Sequence, residues 1–281
     1  MKKLLVGITL FASTGLMAQI SAPQMSPSAK MEQTVGLTNI TVEYSRPSKR
    51  DRVVFGDLVP MNEMWRTGAN KNTIITTSDV LIFGKDTLKA GTYALFTKPT
   101  SSEWAIYFYT ATENWGTPEE WNAENVALEV KVKSQALNDV VETFTIGIES
   151  VSMNDAVLAL SWDKTKVAAK FTVATKAQVN ASIKKVMAGP SANDYYRAAD
   201  YKYSEKEDLK QALEWINKSV EMSGAEAPFY VLRKKALLQA ELGDKKGAIA
   251  TAKLSLEGAK KAGYDAYIKA NEESIKEWSA K

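Results

Sequence analysis

The 281-residue chain contains no cysteine and no histidine. Without thiols there are no disulfide staples, no thiol nucleophile and no thiolate metal site. The missing imidazole restricts the chemistry further. It excludes Ser-His-Asp and Cys-His catalysis, histidine-ligated zinc and a histidine proton shuttle near neutral pH. No Asp-rich loop of the calcium-binding kind is present, and neither a cofactor nor a metal is called for. After the first residues no apolar run is long enough to span a bilayer, so no stable membrane anchor is expected.

Net charge is also scarce. The formal value is +3, and removing Lys2 and Lys3 from 36 basic residues against 33 acids leaves +1. A nearly neutral protein has no global attraction to nucleic acid or to an anionic membrane. What is present is ordinary globular material, 45% hydrophobic and 25% charged, enough for two modest domains.

The first eighteen residues have the order of a secretory signal peptide: Lys2 and Lys3, an apolar run from Leu4 to Phe11, then small residues up to Ala18. The expected product is a periplasmic or secreted protein, and the lack of cysteine excludes a lipoprotein. Residues 19–30 are rich in serine and proline and read as a leader. From residue 31 to 174 the pattern is that of short strands at regular spacing. Ile40, Val42 and Tyr44 alternate with Thr41 and Glu43 until Pro47, which lacks an N–H, stops the ladder. Further strand signals fall at 73–77, 79–84, 92–97, 103–110, 126–133 and 144–148. Two more, at 157–162 and 167–173, flank a predicted hairpin at 163–166. Eight or nine strands without intervening helical periodicity predict an antiparallel β-sandwich, jelly-roll-like in type.

At about residue 174 the period changes to that of helices. Residues 176–187 predict a first helix, broken at Gly189-Pro190-Ser191, with Ser191 or Asn193 able to cap the next. Two later stretches match at a separation of 36. Asp208 to Leu213 aligns with Asp244 to Ile249, and Ser219 falls on Ser255. Paired helices at a period near 34 suggest a tetratricopeptide-like domain over 175–281, closed by a helix from Tyr264 to Ser279, with a groove suited to a protein partner.

The stretch from Tyr44 to Asn70 gathers Arg46, Lys49, Arg50, Arg52 and Arg66 among Tyr44, Phe55 and Trp65. Guanidinium forks beside flat rings suit either a recognition site or a stacked structural corner. The candidate ligand-binding residues are Tyr44, Arg46, Trp65, Arg66, Asn70 and Trp115, the last from a long insert at 111–125 that also carries Trp121. The ligand they suit is small and polar, or carbohydrate-like. Two alternatives stand beside a non-catalytic binding module. One is a hydrolase or lyase acting on a saccharide or cell-wall component through paired acids among Asp57, Glu63, Glu113, Glu119 and Glu120. The other is a purely structural corner. The aromatics Trp104, Tyr107, Tyr109, Trp115 and Trp121 form either a sugar platform or two sides of one sheet.

Several strings carry a family resemblance: Ser26-Pro27-Ser28-Ala29, Tyr44-Ser45-Arg46-Pro47, Phe55-Gly56-Asp57-Leu58-Val59-Pro60, Trp65-Arg66-Thr67-Gly68-Ala69-Asn70 and Ala90-Gly91-Thr92-Tyr93-Ala94-Leu95. Over about residues 26–173 the chain resembles a domain-of-unknown-function family of secreted bacterial proteins, number 2911. One departure is Met61-Asn62, where an aromatic and a glycine would be expected. The resemblance implies an exported β-sandwich, followed in many members by a helical tail, and carries over no activity.

Overall fold

A computed structural model describes residues 22–187 and 189–280. The expected signal segment therefore lies outside the described residues. The chain divides into two compact units, Met1–Thr175 and Lys176–Lys281. Among the described residues no helix is long and apolar enough to cross a membrane.

The first unit is built from β1 (Ser28–Val35), β2 (Thr38–Ser45), β3 (Thr73–Thr77), β4 (Leu81–Phe83), β5 (Asp86–Leu88), β6 (Gly91–Pro99), β7 (Glu103–Tyr109), β8 (Val126–Glu149) and β9 (Asp155–Val173). All pairings are antiparallel, in the order β1-β2-β3-β6-β7-β8-β9-β4-β5. β8 serves two layers. Its residues 126–133 pair with β7, and residues 134–149 pair with β9. Register irregularities between Ala136 and Thr145 bend it from one layer into the other. The layers form a sandwich, and both line one core.

The alternation seen in the sequence sets the inner faces. Ile40, Val42 and Tyr44 of β2 and Trp104, Ile106 and Phe108 of β7 are buried. The aromatic centre of the core joins Phe55, Trp65, Trp104, Phe144 and Trp162. Trp65 stacks on Trp162 with ring centroids 5.9 Å apart and meets Phe144 at 5.0 Å. The opposite face of β6 and β7 carries a second, smaller cluster. There Ala94, Phe96 and Tyr109 lie under Trp121, so residues of the insert cover what would otherwise be an exposed apolar patch.

The edge of β8 is closed by the chain just beyond β2. Phe144 donates its N–H to Pro47 O at 2.9 Å, and Lys49 donates to Glu142 O at 2.6 Å. The Tyr44 hydroxyl continues this seam. It accepts from the Ile146 N–H at 2.9 Å and donates to Ile146 O at 3.2 Å. A side chain thus completes a backbone ladder between the two layers.

Three expectations are corrected. The hairpin predicted at 163–166 does not form, and β9 runs unbroken through it. Asp163, with φ 52°, lies opposite Val141 at a register irregularity. A bulge and a turn ask for the same left-handed backbone, which aspartate tolerates, so local composition does not distinguish them. For the same reason the separate strands predicted at 126–133 and 144–148 are one strand. β1 also begins within the compositional leader, with Ser28, Ala29 and Lys30 opposite Ser45, Tyr44 and Glu43.

The second part of the chain holds α1 (Thr175–Val186), α2 (Ala192–Ser204), α3 (Leu209–Ser223), α4 (Phe229–Glu241), α5 (Lys245–Ala262) and α6 (Asp265–Ser279). Ser191 and Asp194 close a capping box at the start of α2. The 36-residue repeat has a physical meaning here. Asp208 and Asp244 each accept from the backbone N–H three residues on and so start α3 and α5. Ser219 and Ser255, equivalent to one another in the repeat, are both buried. α2 packs on α3, α4 on α5, and α5 on α6, and small residues such as Ala199, Ala212, Ala248 and Ala252 are fully buried.

Candidate functional site

One pocket of ≈ 880 Å³ opens on the β-sandwich, within the size range of small-molecule sites. Its walls come from four separate pieces of chain: residues 23–30, residues 43–45 of β2, residues 70–74, and Trp115. Register explains part of the floor. Lys30, Glu43 and Ile74 are direct cross-strand neighbours on β1, β2 and β3, so they share the sheet face opposite the core. Lys30 also pairs with Glu32 at 2.7 Å. That hydrogen bond, with the charges of Glu32 and Glu43, holds its ammonium pKa above the ordinary value.

The Trp-Arg-Thr-Gly-Ala-Asn string is the joint between these walls. Trp65 turns inward to the aromatic core, and its indole N–H donates to Gly68 O at 3.2 Å. Its backbone exchanges two hydrogen bonds with Thr97. Arg66 turns the other way and donates to Asn70 O at 3.0 Å. The guanidinium lies against Gly116, where an added Cβ would fall 3.1 Å from its Nη1. Gly68 has φ 147°, and a Cβ there would meet Ser45 O at 3.0 Å. Asn70, with φ 59°, donates from Nδ2 to Ser26 O at 3.2 Å. A second anchor on this segment is the Arg46 N–H, bonded to Pro27 O at 2.9 Å. One short string therefore ties the core, the leader wall and the insert together.

Of the six residues singled out from sequence, Tyr44, Asn70 and Trp115 line the pocket. Arg46, Trp65 and Arg66 are not among its lining residues. Arg46 donates to Phe144 O at 3.1 Å and Thr145 Oγ1 at 2.7 Å across the seam of the sandwich. Part of the remaining basic cluster folds back on its own turn, while the Arg50 guanidinium reaches Met25 Sδ at 3.5 Å. Lys49 and Arg52 donate to nearby backbone carbonyls, while the Arg50 N–H donates to Glu142. Asp57, Glu63, Glu113, Glu119 and Glu120 are all exposed, and Glu43 is the one carboxylate in the lining. Among the described residues no group of three or more acids converges to hold a metal ion.

The aromatic residues separate by location. Trp104 is in the core, Tyr107, Tyr109 and Trp121 form the outer cluster, and Trp115 is 68% exposed at the pocket. The insert is held on both sides of Trp115, by Gly116 on Arg66 and by Trp121 on Tyr109 at a centroid distance of 4.5 Å.

The residue that sequence reading missed is Asn72. It is 5% exposed, it lines the pocket, and neither Nδ2 nor Oδ1 has a hydrogen-bond partner among the described residues. Buried amides are nearly always satisfied, because an unmade bond costs about 1–3 kcal/mol. No local signal marks an asparagine at the start of a strand as unusual. Only its surroundings do.

The family model described as Protein of unknown function (DUF2911) matches residues 26–171. None of the curated proteins and none of the solved structures compared with the chain matches it.

Proposed function

The chain belongs to the DUF2911 family of proteins of unknown function, and we propose that its sandwich is a non-catalytic binding module for a small polar or carbohydrate-like ligand. The ligand occupies the pocket between the leader wall, β2, residues 70–74 and Trp115. The observation that carries this reading is Asn72 in the pocket wall, whose unpartnered amide is closed to solvent and gains its missing donor and acceptor partners when a polar molecule enters and the wall opens locally. In this reading Arg66 is a positioning residue that holds the Trp115 loop against Asn70. The helical domain takes a protein partner, and its repeated hairpins leave Tyr230 and Tyr264 exposed for that contact. The whole is exported, as the first eighteen residues suggest. A two-carboxylate hydrolase has less support, because Glu43 faces no second acid in the lining.

The test is a thermal-shift screen of the chain from Gln19 against glycans, cell-wall fragments, dicarboxylates and divalent metals, beside Asn72→Leu. A ligand at about 100 times its dissociation constant adds about 2.7 kcal/mol, a rise of several degrees. The leucine variant should lose that rise while its own melting point stays level or increases, since an unpartnered amide has been replaced by an apolar group of similar shape. A variant that melts well below the parent would show that the amide has a structural partner, and the reading would fall.

A further inference from the structure

We infer that the ligand class of this pocket is a neutral saccharide, read by Asn72 through two adjacent hydroxyls and by Trp115 through the flat face of a sugar ring. The inference rests on the binding reading above and goes further in naming the chemistry.

Three features point the same way. An amide with both atoms unpartnered and closed to solvent holds a donor and an acceptor side by side, which a local opening of the wall would present to the pocket. A vicinal diol matches that pair, because each hydroxyl both donates and accepts. A carboxylate or phosphate would satisfy Nδ2 and leave Oδ1 facing a second acceptor. Trp115 is the second feature. Tryptophan is highly buried on average, yet here the indole stands 68% exposed on a loop pinned by Gly116 and Trp121. An exposed ring at the pocket wall presents an amphipathic face, and a pyranose is amphipathic in the complementary way. The third feature is the charge of the lining. Lys30 is already paired with Glu32 and lies beside Glu43, which leaves the exposed Lys71 as the lining's one cation outside an ion pair among the described residues, and a single solvated ammonium focuses little field on an anion. The uncharged polar side chains, among them Gln24, Ser28, Ser45 and Asn70, are hydroxyls and amides, which suit a ligand rich in hydroxyls.

The experiment is titration of the chain from Gln19 with maltose, cellobiose and N,N′-diacetylchitobiose, followed by calorimetry and tryptophan fluorescence. Sorbitol, which has vicinal hydroxyls but no ring, succinate and alanyl-alanine amide serve as comparators. Trp115→Ala and Asn72→Leu are titrated in parallel. The expected result is saturable binding of at least one disaccharide, weakened about tenfold or more by each variant, with no binding of sorbitol. Binding of succinate or the dipeptide amide alone, with the same dependence on both residues, would leave the pocket reading standing and overturn the saccharide. Disaccharide binding indifferent to both variants would place the sugar elsewhere and also overturn it. Absence of binding by every probe, with both variants folded, would count against the pocket and the saccharide together.

Discussion

Tyr44→Phe removes one oxygen atom from the interior of the sandwich, and its cost can be worked from the seam. The side chain is 6% exposed, and its ring meets Phe144 edge-on with centroids 5.9 Å apart. That packing survives in phenylalanine. What is lost is the hydroxyl that bonds both the N–H and the carbonyl of Ile146. These backbone groups face the Tyr44 side of β8, as do those of Glu142 and Phe144 nearby, so the β9 ladder does not take them over. Leaving two buried backbone groups unpaired costs about 1–3 kcal/mol for each, and some relaxation brings the total to about 3 kcal/mol. For a unit of this size that lowers the melting point by roughly 6–12 °C. The assay is urea unfolding followed by tryptophan emission, which reports mainly on the sandwich because five of the seven tryptophans lie before residue 176. The midpoint should fall with the m-value unchanged. A loss below about 0.5 kcal/mol would refute the reasoning and mean that the seam does not depend on this hydroxyl.

Other perturbations follow from the same structure. Gly68→Ala forces a side chain into φ 147° and against Ser45 O and Thr73 Oγ1; it should cost about 2 kcal/mol or more, and an unchanged urea midpoint would contradict this. Asn271, 0% exposed, donates to Ser255 Oγ and Tyr267 O and accepts from Arg233. Asn271→Ala should therefore destabilise the helical domain by about 1–3 kcal/mol, read from its far-ultraviolet signal. Tyr196 has its pKa pushed up to about 12, chiefly by burial and then by Asp200. An unfolded tyrosine ionises near 10, so above that pH the unfolded chain releases its proton first and helical-domain stability falls as pH rises through about 12. Tyr196→Phe should flatten that fall, and a spectrophotometric titration in which every tyrosine ionises together near 10 would speak against it.

Much of the fold is legible in local pattern because alternation on a half-buried strand reports which face is apolar. β2 and β7 show this through Ile40, Val42 and Tyr44, and through Trp104, Ile106 and Phe108. β1 carries little local signal because its inward positions hold Ala29 and Gln33 beside Met31 and Val35, a weak apolar row on an edge strand. The continuity of β8 and β9 was hidden by residues that suit turns and bulges equally. Trp115 could be singled out from sequence as a large ring on a long insert, and Asn70 as part of a specific string. Their places at one pocket, and the inward commitment of Arg46 and Trp65, depend on partners 30 to 100 residues away.

The amino-acid sequence by itself determined which chemistries are absent, through the missing cysteine and histidine, and where the β-rich part gives way to helices. It also set the caps that start the repeated helices, because Asp208 and Asp244 act on backbone groups three residues away. Only the tertiary structure decided the pocket. Its walls come from residues 23–30, 43–45, 70–74 and 115, and cross-strand register and the Arg66 contact bring them together. Above all it decided the state of Asn72, since whether an amide finds a partner depends on every group around it and on nothing in its own stretch of chain.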